Sequence, residues 1–465
     1  MNYHQIENIS ERKERLGLFI GLSLLLGSIL ALLPILFGPI TLPIVFFMFL
    51  ILPWLIQDAF KLFIWMIVTW PLLYVFVQVP LPAGVPDLTY GRAMVLLLVC
   101  VVILEVLILK RQLIKLTTLD ILALVYVFAQ LISHLFVNWF WGAGDQDLNG
   151  LLDIVLIPLV VYWVVKNLLV SRAHLKWLTW AFVITCLLIA LTGIYEQAMG
   201  VKVFAYSTGW NPDWGDRATG AMRNPAAYGT TLGMGILASF SLLSHTKRKL
   251  PHATLVATIW ILLYGVFASY TRSAWVSVYI ILFAAQFFVN GMWKRTMPMF
   301  ILGLLLIALI WPSLPNSSPI VQRTLQENTV NTRLHLIDFS WKLFLERPIL
   351  GWGSNALNTI SLRQGLEASH NIYLTFLVDG GMVLFLSFSI FVGYLITEAI
   401  RVYGMFKKGS LERDALVAMV GSVLILLLSG LSFELRYFEY TNILFWICMG
   451  VIDFLRIKSA VKSFS

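Results

Sequence analysis

The sequence predicts an all-α fold, a polytopic membrane bundle of about twelve to fourteen transmembrane helices. Two bulk observations point there. Of 465 residues, 59% are apolar and 12% charged, and the mean hydropathy is +0.84. Soluble domains carry about twice that share of charge, so an ordinary soluble enzyme is excluded, and the abundance of aromatic and branched residues excludes disorder. A third observation is the spacing of the apolar runs, which are long enough to cross a hydrocarbon core as helices.

In chain order the runs are 16–37, 40–56, 60–79, 92–109, 119–138, 151–165, 175–199, 224–244, 252–269, 273–290, 297–313, 372–399, 415–432 and 440–456. The first is longer than a signal-peptide core and has no small-residue cleavage pattern, so it is expected to be retained. Alternating the connections from an inner N-terminus puts 22 Lys and Arg inside, in clusters such as Lys110/Arg111/Lys115 and Lys247/Arg248/Lys249, and 11 outside. That is the positive-inside bias, and it predicts both termini in the cytoplasm of a cell-membrane protein. Acidic residues divide the other way, so the net charge of +9 resolves into +12 inside and −3 outside. A basic balance that sets topology in this way does not call for a nucleic-acid partner.

Two outer connections, 200–223 and 314–371, are long enough to carry function. In the second, Leu334, Ile337, Trp341 and Phe344 recur at helical spacing with Arg333, Asp338, Lys342 and Glu346 between them, until Pro348 and Gly351 stop the pattern. An amphipathic helix on the outer membrane surface is expected. The spans hold almost no charge at mid-depth, where a coupled transporter usually places it. Asp153, Glu196 and Asp379 instead lie towards the outer ends. Of the eleven outer cations nine are arginines, whose planar fork suits phosphate oxygens. The outer ends of the spans are therefore expected to meet a polyanionic ligand at the lipid headgroup level.

Four outer stretches carry a resemblance. They are Arg217-Ala-Thr-Gly220-Ala-Met-Arg223-Asn224-Pro225, leading into a span; Ser269-Tyr-Thr271-Arg272-Ser273-Ala-Trp275, at a hairpin; Arg333 followed by Pro348-Ile-Leu-Gly351-Trp-Gly353; and His370-Asn371-Ile-Tyr373-Leu374 with Asp379-Gly-Gly381. In order, spacing and shared face they resemble the O-antigen ligase and polymerase superfamily of bacterial glycosyltransferases, over about residues 175–400. The chain departs from the family at Leu384, Asp379 and Ile337, where a glycine, a glutamate and an aromatic are common.

The resemblance implies a GT-C-like helical architecture in three parts. These are N-terminal transmembrane helices (1–174), a ligase- or polymerase-like membrane domain with both outer loops (175–456), and a cytoplasmic tail (457–465). It also implies a metal-independent transferase needing no cofactor. Such an enzyme takes a glycan from undecaprenyl diphosphate to an acceptor glycan hydroxyl, in surface polysaccharide biosynthesis. Its catalytic candidates are Arg217 and Arg272, to stabilise the leaving diphosphate, and His370, to accept the hydroxyl proton. Its substrate-binding candidates are Arg223, Arg333, Asn371 and Tyr373. Asp145-Gln-Asp147 has the form of a metal-binding Asp-x-Asp, but it stands in an outer Gly/Asn-rich turn where nucleotide sugars are not supplied, and it is read as a turn. The alternatives are a polymerase of lipid-linked repeat units in the same superfamily and, from another class, a small-anion membrane transporter.

Overall fold

The computed structural model describes residues 58–74, 76–79, 86–141, 148–202, 204, 217–289, 293–294, 297–298, 301, 305, 328–363 and 371–463. The expected spans 16–37 and 40–56 and nearly all of 297–313 lie outside the described residues. The helices are α1 (Ala59–Leu73), α2 (Tyr90–Ile108), α3 (Thr118–Trp141), α4 (Ile157–Leu168), α5 (Arg172–Met199), α6 (Pro225–Leu243), α7 (Lys249–Ala268), α8 (Arg272–Ala285), α9 (Asn328–Glu346), α10 (Ala356–Arg363), α11 (Ile372–Met405), α12 (Leu411–Ser429) and α13 (Glu439–Ser463). A short helix, Leu148–Leu151, and a π turn, Leu152–Leu156, lead into α4. The only sheet among the described residues is a two-residue antiparallel ribbon, with Gln78 opposite Thr89.

The chain is therefore a polytopic, all-α membrane protein. Among the described residues α2, α3, α5, α6, α7 and α11 are each long and apolar enough to cross a membrane. Large apolar side chains such as Leu96, Phe128, Trp260 and Leu386 stand exposed on them, as a lipid-facing surface requires.

Helix α6 is the central pillar, with all nineteen residues buried against α5, α7, α8 and α12. Its composition permits this. A Cβ at Gly233 would collide with Val278, and one at Gly235 with Cys186, so only glycine lets the neighbouring helices come this close. Hydroxyls meet across the same seam: Ser277 Oγ lies 2.6 Å from Ser429 Oγ, to which Thr230 Oγ1 donates at 3.2 Å.

The polar ends of the bundle differ in character. At one end Lys166, fully buried, pairs with Asp120 and with Asp453 (3.3 Å), while Arg456 holds Asp453 at 2.8 Å. Glu412 meets Lys458 and Arg172 there, and Arg111 meets Glu105. At the other end α1, α3, α5, α7 and α12 finish and α2, α6, α8, α11 and α13 begin, which brings together the motif-bearing stretches.

The run at 372–399 is found within α11, which breaks at Gly381, whose φ of +62° and ψ of −162° are not helical. The surface helix is present as α9, with Leu334, Ile337 and Trp341 of the expected stripe exposed; its fourth member, Phe344, is buried with Leu336, Ser340 and Leu343. The reason is a small second core, in which Leu343 and Phe344 pack with Leu357 and Val378. Amphipathic spacing identified the helix but could not tell a protein-facing side from one left for lipid.

Candidate active site

Residues 217–225 form a short connector laid across the motif-bearing end of the bundle. Its first residue, Arg217, donates from Nε to the Ser269 carbonyl (3.1 Å) and from Nη2 to Thr271 Oγ1 (2.7 Å). Those two atoms flank Tyr270, held at φ +45° in the tight turn between α7 and α8, and Arg272 is the first residue of α8. The guanidinium thus braces the turn that presents the second arginine, and Ala218 N–H bonds the Ala268 carbonyl (2.9 Å) alongside it.

Buried Glu196, near the end of α5, fixes the middle of the connector. Its Oε2 accepts from Gly220 N–H (2.8 Å), Thr219 Oγ1 (3.0 Å) and Thr219 N–H (3.4 Å). Lys202 Nζ lies 3.6 Å from the same oxygen and donates to the Arg217 carbonyl at 2.5 Å. Gly220, at φ +48°, lies so close to α5 that a Cβ would stand 2.6 Å from Thr192 Oγ1. The connector ends at Arg223, also left-handed at φ +56°, followed by Asn224, whose Oδ1 caps α6 by accepting from Ala226 and Ala227 N–H, with Pro225 in the first turn.

Arg223 lies 4.2 Å from the centre of the Tyr74 ring and on the wall of a cavity of about 190 Å³. Pro71, Tyr74, Met222, Tyr437, Glu439 and Tyr440 are among the other lining residues. Burial lowers the pKa of Arg223, opposed by the charge of Glu439. Glu439 in turn lies beside Asp153, which Arg92 holds through two bonds (2.9 and 2.7 Å).

The third and fourth motifs interlock. The chain at 348–353 enters the break in α11: Trp352 N–H bonds the Val378 carbonyl and Gly353 N–H the Asp379 carbonyl, while Met382 N–H returns to the Pro348 carbonyl, each at 2.8 Å. Buried Asp379 adds both carboxylate oxygens, accepting from Asn355 N–H (3.0 Å) and Leu357 N–H (3.1 Å). Ser133 Oγ on α3 donates to the Leu350 and Asp379 carbonyls. Beneath this clasp Arg436 lies 4.0 Å from the Phe376 ring centre and pairs with Glu434 at 2.9 Å. Burial acts to lower its pKa, but the Glu434 carboxylate outweighs that and raises it above the usual arginine value.

The remaining candidates are placed as follows. Asn371 caps α11, its Oδ1 accepting from Tyr373 and Leu374 N–H, and its Nδ2 donates to the Leu431 carbonyl (3.1 Å). Tyr373 Oη donates to the Leu427 carbonyl (2.9 Å). Arg333 is half-buried on the second turn of α9. His370 and the Asp145–Asp147 turn lie outside the described residues.

Residues 257–389 match the model of the O-antigen ligase family. This segment is similar to that family. No curated protein matches the chain significantly. The matched segment contains the Ser269–Arg272 turn, Arg333, the clasp, Asn371 and Tyr373. With the membrane helices around it, it fits a multi-pass membrane protein with a glycan ligase or polymerase role. Arg217, Arg223 and the cavity residues Tyr74, Tyr437 and Glu439 fall outside the matched segment and reach its end of the bundle only through the fold.

Sequence reasoning missed the cavity residues. Glu439 carried one usable signal, a carboxylate at the very start of an apolar span. Tyr74 and Tyr437 carried none, since aromatic residues at span ends are commonplace interface anchors.

Proposed function

We propose that the protein is a glycosyltransferase of the O-antigen ligase type. It acts on the outer face of the cytoplasmic membrane, with both termini inside. The donor is a glycan on undecaprenyl diphosphate, and the acceptor is a hydroxyl of a surface glycan. One observation carries the reading: Arg217, from outside the matched segment, is bonded to the very turn that presents Arg272 within it.

In the reaction the anomeric carbon loses its bond to the diphosphate oxygen and gains one to the acceptor oxygen. Negative charge grows on the leaving diphosphate, and two guanidinium groups fixed beforehand stabilise it without reorganising at the moment of transfer. Arg217 and Arg272 take this role, with Arg333 binding the donor or bracing the loop helix. The acceptor hydroxyl surrenders its proton to His370, whose ordinary pKa suits a base at neutral pH. Asn371 caps the helix immediately after it and so fixes the point from which His370 departs. The stripe of Leu334, Ile337 and Trp341 on α9 rests on the headgroups and keeps the loop close to lipid-borne substrate.

The test is transfer by purified protein supplied with undecaprenyl-diphosphate glycan and a glycan acceptor. Product is expected from wild type and is lost in Arg272→Ala and His370→Ala. Full activity in both variants overturns the mechanism. Product made only when the acceptor is a second lipid-linked unit identifies the polymerase form.

A further inference from the structure

The cavity beside Arg223 has a chemistry unlike that expected of a diphosphate site. Four ionisable groups meet at or behind its wall, Arg92, Arg223, Asp153 and Glu439, with Arg92 bound to Asp153. Burial and the neighbouring Asp153 raise the pKa of Glu439 to about 8, so it keeps its proton at neutral pH, and Arg223 is the one cation among the lining residues. A diphosphate site gathers several cations, and this wall presents one. The walls are apolar and aromatic, formed by Pro71, Tyr74, Met222, Tyr437 and Tyr440. Flat ring faces together with a few charged hydrogen-bonding groups are what a polyhydroxylated ring needs, since its C–H faces cover aromatic surface while its hydroxyls reach outward. Two polar atoms of the lining are also in want of a partner. Glu439 Oε2 and Tyr437 Oη are buried and make no hydrogen bond with any described residue. A buried polar atom without a partner is costly, and an incoming hydroxyl would relieve that cost.

We infer that this cavity binds one uncharged sugar ring, with Glu439 Oε2 accepting from a ring hydroxyl and the Tyr74 and Tyr437 side chains as its walls. The inference rests on the glycan-transfer reading for the identity of the ligand. A volume of about 190 Å³ is smaller than an ordinary drug-sized pocket, so it takes a single ring and leaves the remainder of a glycan outside. The connector gives the position meaning. Arg217 and Arg223 are six positions apart on a segment pinned by Glu196, so a ring held at Arg223 is held at a fixed offset from the Arg217–Arg272 corner.

The experiment is saturation-transfer NMR on the full chain in detergent. The probes are a panel of free hexoses and N-acetylhexosamines, with inorganic pyrophosphate as competitor. At least one sugar is expected to receive saturation, with the signal at least tenfold weaker in Glu439→Gln and in Tyr74→Leu and unchanged by pyrophosphate. The first variant keeps shape and replaces the carboxyl; the second keeps apolar bulk and removes the ring face, so a folding defect in one does not decide the matter. Failure of every sugar to bind overturns the inference, as does binding that survives both substitutions or is displaced by pyrophosphate.

A transfer assay separates the two possible sources of the ring. The KM of the donor alone rises in Glu439→Gln if the donor supplies it, and that of the acceptor alone if the acceptor does. Neither KM moving overturns the inference while the transferase reading stands. Sugar binding without any transfer by wild type leaves the cavity assigned and removes the transferase reading.

Discussion

Gly381→Ala tests the clasp that joins the long loop to the membrane helices. At φ +62° and ψ −162° the native backbone lies in a region open essentially to glycine alone, and occupying it with a side chain costs about 1–3 kcal/mol. The added Cβ would also collide with the Ile349 carbonyl, and the nearby Leu350 nitrogen is 2.8 Å away. Both obstacles are backbone, which cannot swing aside as a flexible side chain can. The 348–353 strand must then retreat, giving up the bonds from Trp352, Gly353 and Met382 at about 1 kcal/mol each. Strain and lost bonds together come to roughly 4–6 kcal/mol of clasp stability.

Hydrogen exchange reads this directly. The amides of Trp352, Gly353, Asn355 and Leu357 should exchange on the order of 10³-fold faster or more, since each 1.4 kcal/mol is a tenfold change in opening. Amides of α6, buried at the centre of the bundle, should not respond. The control is Gly393→Ala on the same helix, where a Cβ meets nothing within 4 Å. That change should be neutral or stabilise by up to about 1 kcal/mol. Unchanged exchange at 352–357 in Gly381→Ala would refute the reasoning.

Other perturbations probe the two ends. Lys166→Met leaves buried Asp120 without its cation, while Asp453 keeps Arg456, and should destabilise by about 3–5 kcal/mol, seen as a large fall in the melting temperature in detergent; a melting temperature equal to wild type would show that the ion cluster is dispensable. Arg217→Lys keeps the charge but cannot reproduce both bonds to the α7–α8 turn, so transfer should drop by about 10²-fold with the fold intact; retention of half the wild-type rate counts against the bracing role. Glu196→Gln removes the anionic acceptor of Thr219 and Gly220 and should slow transfer by roughly tenfold through a looser connector, checked by faster exchange of the Gly220 amide; slower transfer with unchanged exchange there would separate Glu196 from the connector.

What the sequence determined is whatever depends on neighbours along the chain. Span limits agree closely: the run at 92–109 is helix Tyr90–Ile108, and that at 224–244 is Pro225–Leu243. Apolar length is a local property, and Asn224-Pro225 announces its own helix start. The predominance of arginine over lysine in one set of connections needs only composition and alternation. Which arginine meets which partner was not readable that way. Arg92 and Asp153 pair across 61 positions, and Arg217 reaches Thr271 across 54, with nothing in either local sequence to indicate the other.

The break at Gly381 belongs to the same class. Two adjacent glycines permit a helix to open, but only the arrival of residues 348–353 supplies carbonyls and amides to satisfy the opened backbone, and within a membrane bundle an unsatisfied opening would be too costly to persist. The fold class follows from solvation of individual segments, which short windows of sequence encode. The Arg217–Arg272 corner, the clasp and the cavity at Glu439 follow from which helix ends are brought side by side, and only the assembled bundle decides that.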